Sequence, residues 1–238
     1  MDDSAEESDP YYELAKLAGS LAHEIKNPLS VIRMNMDLLA EDLDDPETPT
    51  ERRAMGKIRI VQQQCTRLET LLNDFLRFSS LRDLRLSPGN LNDQVDRVLN
   101  LFEVQAAKQE VEINRYLDPD LPHILLDEHT LQAALLNLVK NALEATPPGA
   151  QVTAQTQTTT TGVRLVLVDT GTGIDNRTAA KMFEAFYSTK DGGSGLGLPT
   201  AQKIITAHGG RIAVQSELGR GTQFIVDFPV PKRLPEET

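Results

Sequence analysis

The chain has 238 residues, 39% hydrophobic and 25% charged, with a formal net charge of -11 at pH 7. That length holds one large domain or two small ones, and the acidic balance argues against a general nucleic-acid binder, which needs a basic face. Cys65 is the only cysteine, which excludes a disulfide framework and a thiolate metal cluster. No run approaches the roughly 18 consecutive apolar residues of a membrane span. The opening MDDSAEESDP has neither the basic n-region nor the apolar h-region of a secretory signal. The expectation is a cytoplasmic chain with no membrane span of its own, free or as part of a larger, membrane-bound assembly.

Residues 1–10 read as a disordered acidic tail. From about Tyr11 to Leu43 the pattern is helical, with Leu14, Leu17, Leu21, Ile25, Pro28, Ile32, Met36, Leu39 and Leu43 at steps of three and four. Pro28 lacks an N–H, so the carbonyl of Glu24 loses its helical partner and the helix should bend or loosen there. DDPETPTE reads as a turn. A second helix follows from Glu51 to about Leu81, with Ile58, Val61, Cys65, Leu68, Leu72 and Phe75 forming a bundle seam. Residues 11–81 thus form an antiparallel hairpin whose apolar stripe two copies would bury together, so a homodimeric four-helix bundle is expected.

Residues 82–90, with Pro88-Gly89, read as a linker, and 91–232 as a second domain before a short tail, 233–238. Leu91–Glu110 is an amphipathic helix, Val111–Tyr116 a strand, and Asp127–Ala145 a strong helix that stops at Thr146-Pro147-Pro148-Gly149. Gln151–Thr158 with Val163–Asp169, and Arg211–Ser216 with Gln223–Phe228, read as hairpins, with a helix near Leu198–His208 between them. The fold class is α + α/β: the helical hairpin, then an α/β sandwich with helices on one sheet face.

Four short segments of the second half suit one chemical task. In NLVKNA, Asn137 and Asn141 lie one helical turn apart on one face. Amide oxygens suit a hard cation such as Mg2+ that also holds phosphate. In VDTGTGI, Asp169 ends an apolar strand, where its carboxylate can accept from an exocyclic amino group while glycines admit a planar base. GGSGLGL leads into a helix, so freed amides and the helix N-terminus suit phosphates. GRGT is a tight turn into the last strand.

In order and spacing, NLVKNA, DTGTGI, MFEAF, GGSGLGL and GRGT resemble the N, G1, F, G2 and G3 boxes of sensor histidine kinases, and AHEIKNPL resembles their phospho-acceptor H box. The resemblance runs from about residue 12 to 230 and is most similar to the nitrogen-regulation-type group. It implies a Bergerat-type ATP fold, with ATP and Mg2+ bound by the second domain. Asn141 would be the metal ligand, with Asn137 and Lys140 near the phosphates. Asp169 would accept from the adenine amino group, beside Gly171 and Gly173, with Thr222 close by. A lid from about Phe186 to Gly193 would bring Lys190 to phosphate. Gly195 and Gly197 would line the triphosphate, with Gly193, Ser194 and Leu196 also among the nucleotide-binding residues.

His23, off the apolar line, should face solvent or a docking partner. One imidazole nitrogen is nucleophilic, so attack on the γ-phosphoryl group would give phosphohistidine, with Glu24 orienting the ring and taking its proton. The resemblance implies that Asn27 positions a water for removing phosphate from a partner's aspartate, and that the partner is a response-regulator receiver domain. A zinc-protease HExxH reading fails, because Asn27 stands where the second His is required. The related ATPases of the gyrase, chaperone and mismatch-repair group place a Glu where Asn137 stands. An amide cannot be a general base, which favours phosphoryl transfer to a side chain over hydrolysis. A degenerate, non-enzymatic dimeric scaffold would show itself by failing to bind ATP.

Overall fold

A computed structural model describes residues 10–79, 84–190 and 193–231. The chain divides into two compact units between Ser80 and Leu81.

The first unit is a helical hairpin, α1 (Pro10–Asp42) and α2 (Pro49–Ser79). α1 continues through Pro28 as one helix. α2 begins two residues earlier than the pattern suggested, because TPTE is a capping box. Glu51 N–H donates to Thr48 Oγ1 at 3.2 Å and Thr48 N–H donates to Glu51 Oε2 at 3.0 Å, with Pro49 at the first helical position, where its missing N–H costs nothing. Leu29, Met55, Ile58 and Cys65 are buried between the helices. Arg33 Nη1 donates to Glu69 Oε2 at 2.9 Å, and Gln62 Nε2 to Asp37 Oδ1 at 2.7 Å, across the same seam. The single apolar line expected on α2 is in fact two. Ile58 and Cys65 turn toward α1, whereas Val61 and Leu68 are exposed.

The second unit holds α3 (Leu91–Lys108), α4 (Glu128–Ala145), α5 (Asn176–Lys181) and α6 (Gly197–Ala207). Its strands are β1 (Ser87–Gly89), β2 (Glu112–Tyr116), β3 (Ile124–Leu126), β4 (Gln151–Thr158), β5 (Gly162–Asp169), β6 (Arg211–Glu217) and β7 (Gly221–Pro229). Five strands make one sheet in the order β2-β4-β5-β7-β6, parallel only between β2 and β4. Side chains alternate across a strand. Val163, Leu165 and Leu167 of β5 and Phe224, Val226 and Phe228 of β7 are therefore buried with Leu91, Val95 and Leu99 of α3, Leu131, Leu135 and Leu138 of α4, and Ile204 and Ile205 of α6.

Two short elements correct the sequence reading. Residues 87–89, expected as linker, pair antiparallel with β3, matching Ser87 to Leu126 and Gly89 to Ile124. Three residues are too few for periodicity to show, and only tertiary pairing makes them strands. α5, likewise too short for a pattern, is started by Asp175, which accepts from Thr178 N–H at 2.8 Å.

Candidate nucleotide-binding site

One rung of the sheet frames one end of the site. Asp169 of β5 pairs in register with Thr222 of β7, which pairs with Ser216 of β6. All three belong to the registers that face the helices, so the strand period that fills the core also delivers Asp169 inward. Asp169 is 2% exposed. Its Oδ1 accepts from Gly171 N–H at 3.0 Å and Thr222 N–H at 3.2 Å, which leaves Oδ2 available to a donor, with no hydrogen bond among the described residues. Burial pushes its carboxyl above the ordinary range, against the opposing pull of those two N–H groups and of Lys190.

Ser216 holds this end together and has no counterpart in the sequence motifs. Its Oγ accepts from Ile174 N–H at 2.8 Å, donates to Gly221 O at 2.9 Å, and lies 3.0 Å from Thr222 Oγ1. It thus ties the loop after β5 to the turn before β7. The loop, with Gly171 and Gly173, also packs on the end of α4. Thr172 N–H donates to Ala145 O at 3.1 Å, and a Cβ on Gly171 would come within 2.2 Å of that same oxygen. Gly171 is required there by close backbone approach.

The other end lies between α4 and the N-terminus of α6. Asn141 Nδ2 donates to Asn137 O at 2.9 Å. A Cβ on Gly197 would sit 3.5 Å from Asn137 Oδ1 and 3.9 Å from Asn141 Nδ2, so the first turn of α6 faces both amides. Leu196, the N-cap of α6, offers no side-chain cap, so the amides of the first turn remain for an anion. Ser194 Oγ accepts from Leu196 N–H at 3.3 Å, and Thr200 Oγ1 donates to Leu196 O at 2.6 Å, shaping the loop into the helix.

Lys190 reaches this end. Its Nζ donates to Asn141 Oδ1 at 2.9 Å and also pairs with Glu144 Oε2. Glu144 is a second residue that motif reading passed over, because a Glu on an exposed helix turn reads as solvated. Lys140, expected near phosphate, is exposed with its Nζ 3.9 Å from Glu144 Oε1. Gly193 N–H donates to Lys190 O at 3.1 Å. Gly195 (φ +65) accepts through its carbonyl from Phe186 N–H at 3.0 Å, and Phe186 itself adopts φ 67. Asp191 and Gly192 of the expected lid lie outside the described residues. So does the side chain of His23, whose backbone lies in α1. Glu24 and Asn27 are exposed on the same helix.

The donor set fits a magnesium nucleotide. A buried carboxylate oxygen suits an amino group, two amide side chains on one helix face suit a hard cation, and uncapped amides with an ammonium suit phosphate.

The fold and this donor set define an ATP-binding domain. The family model for histidine kinase-, DNA gyrase B-, and HSP90-like ATPases matches residues 126–232, and that for the His Kinase A (phospho-acceptor) domain matches residues 13–84. The chain is 33% identical over 215 residues to the alginate biosynthesis sensor protein KinB of Pseudomonas aeruginosa, covering 88% of this chain and 36% of that one. Full-length ShkA in complex with AMPPNP matches with a TM-score of 0.73 at 28% identity, over 92% of this chain and 47% of that one. The histidine kinase ThkA in complex with the response regulator TrrA matches with a TM-score of 0.66 at 30% identity, over 92% of this chain and 63% of that one. The chain belongs to the sensor histidine kinases of two-component systems. It spans between about a third and a half of the length of the curated relatives it matches. No described helix is long and apolar enough to cross a membrane.

Proposed function

We propose that this chain is the cytoplasmic catalytic core of a sensor histidine kinase. Residues 11–81 form the dimerisation and phospho-acceptor part, and residues 91–232 bind ATP. The observation that carries the reading is the pairing of an adenine-type acceptor, Asp169, with an amide and helix-terminus phosphate end, in a chain that also carries AHEIKNPL.

His23 attacks the γ-phosphorus of ATP. A nitrogen–phosphorus bond forms, the bond to the ADP oxygen breaks, and Glu24 takes the ring proton. Asn141 would hold Mg2+, with Asn137 beside it, and the ion would neutralise charge on the phosphates. Lys190 leaves Asn141 and Glu144 to reach phosphate. Asn137 offers no carboxylate to activate water, which favours transfer to His23 over hydrolysis. The phosphoryl group then passes to an aspartate of a response-regulator receiver domain, and Asn27 positions water when the regulator is dephosphorylated. Flexing of α1 at Pro28 would shift His23 and Glu24 between the two geometries. Comparable kinase and phosphatase rates in Pro28→Ala would remove that last step.

The test is incubation with Mg2+ and γ-labelled ATP. The expected label is acid-labile, alkali-stable and absent from His23→Gln. Label that survives this substitution, or ATP turnover with no labelled protein, would overturn the reading.

A further inference from the structure

AHGG, at residues 207–210, plays no part in the nucleotide motifs, yet it places a buried histidine at a junction of three segments. α6 ends there in a Schellman motif. Gly210 N–H donates to Ile205 O and Gly209 N–H to Thr206 O, both at 2.9 Å, with Gly209 at φ +72. His208, the C-cap, is 5% exposed. Its Nδ1 lies 2.8 Å from Ile204 O, and its Nε2 accepts from the backbone N–H of Asp127 at 3.0 Å. Only the tautomer with hydrogen on Nδ1 satisfies both contacts. Phe228 meets the ring edge-on, with centroids 6.4 Å apart.

Asp127 is the N-cap of α4. Its Oδ1 accepts from Thr130 N–H at 2.9 Å and from Thr130 Oγ1 at 2.8 Å. Its Oδ2 accepts from Arg85 N–H at 3.0 Å, in the segment that leads into β1. In a capping box the third helical residue returns a bond to the N-cap N–H. Here that residue, Thr130, bonds the cap's carboxylate instead, so His208 is the partner of the Asp127 N–H. The ring therefore joins the C-terminus of α6 to the N-terminus of α4.

Farther along, the same two helices face each other across the phosphate end of the site, with Gly197 at the start of α6 against Asn137 and Asn141 in the second half of α4. From Asp127 to Asn137 is about 15 Å of helix, and from His208 to Gly197 about 16 Å. A fixed point at one end of two rigid antiparallel rods sets their register at the other.

The geometry points to His208 as a positioning residue for the triphosphate end of the ATP site, acting through α4 and α6 and touching neither nucleotide nor metal. This rests on the ATP-site reading above. Loss of the bond leaves the half-buried Asp127 N–H without its partner and lets α6 shift along α4. The amides of the first turn of α6 then move relative to Asn137 and Asn141. The adenine end, framed by β5, β6 and β7, stays as it is.

The full chain is compared as wild type, His208→Phe and His208→Gln. Phe keeps the ring and its packing but removes the acceptor, whereas the Gln amide restores an acceptor for the Asp127 N–H. Binding of Mg2+ with a non-hydrolysable ATP analogue, and of adenosine alone, is followed by calorimetry and amide shifts. His208→Phe should weaken the Mg2+–analogue complex about tenfold, leave adenosine within about twofold, and be largely rescued in His208→Gln. Equal loss of both ligands would mark a merely structural histidine and overturn the proposal, as would unchanged analogue binding. Nitrogen-15 shifts of the wild-type ring report the tautomer without any variant, and hydrogen on Nε2 would also overturn it. Wild-type chain that binds neither ligand would remove the ATP-site reading itself, while the ring shifts would still decide the His208–Asp127 contact.

Discussion

The two units bury their apolar residues to very different degrees. In the α/β unit Leu91, Leu131, Leu138 and Val152 reach 0% exposure, and the core closes on itself. In the hairpin, Ile25, Ile32 and Leu39 recur every seventh residue along α1 and are each more than 40% exposed, and Val61 and Leu68 repeat the spacing on α2. A two-helix layer has only one internal face, whereas a sheet with helices on it encloses its core. One unit encloses its core as a single copy, and the other leaves an apolar stripe exposed, which fits the proposed dimer seam.

The largest expected effect breaks the hairpin unit. Replacing Val61 and Leu68 with Glu would bury charge in the dimer seam, costing several kcal/mol per copy. Sedimentation should show a dimer turned monomer, with nucleotide affinity kept by the second unit. Dimers surviving at micromolar concentration would show that this stripe is not the seam.

Next in size is Asp169→Asn in the α/β unit. Asn keeps the acceptor for Gly171 and Thr222 but replaces Oδ2 with a donor, so ATP affinity should fall about a hundredfold. Stability moves the other way. Burial raises the carboxyl's folded pKa above its unfolded value, so the charged group costs stability as pH rises through the folded pKa. The Asn variant should therefore melt no lower than wild type at neutral pH. In the wild type, protonation of Asp169 should weaken ATP binding on acidification, beginning above the ordinary carboxylate pKa of about 4, and the Asn variant should lack that limb.

A smaller loss belongs to Ser216→Ala, which leaves Ile174 N–H without its acceptor. It should cost about 1–2 kcal/mol in thermal unfolding and weaken adenosine before it weakens phosphate contacts. The smallest belongs to Arg33→Met. Arg33 is exposed and Glu69 half-buried, and pairs near the surface contribute about 1 kcal/mol or less. A larger drop in melting temperature would mean that the hairpin seam leans on this pair.

The nucleotide motifs could be read from sequence because each is local. Asn137 and Asn141 share a face through helical spacing alone, and the glycines around Ser194 announce a loop before a helix. Ser216 could not be read, since a serine in an alternating strand carries no mark of its role. Its three contacts come from a loop and a turn that meet only after the sheet forms. The strand at 87–89 was hidden for the same reason, because its partner lies more than thirty residues on.

The sequence by itself determined the helical hairpin, the α/β unit and the family, and it named the candidate residues of a nucleotide site, since periods of 3.6 and 2 and short-range glycine and amide chemistry are written within a few residues. Only the tertiary structure decided which apolar line of α2 faces α1, that one carboxylate oxygen of Asp169 accepts from both Gly171 and Thr222, and that His208 joins α6 to α4. Those depend on contacts between segments distant in the chain, where packing and the need to satisfy buried polar groups choose among partners that local pattern leaves equal.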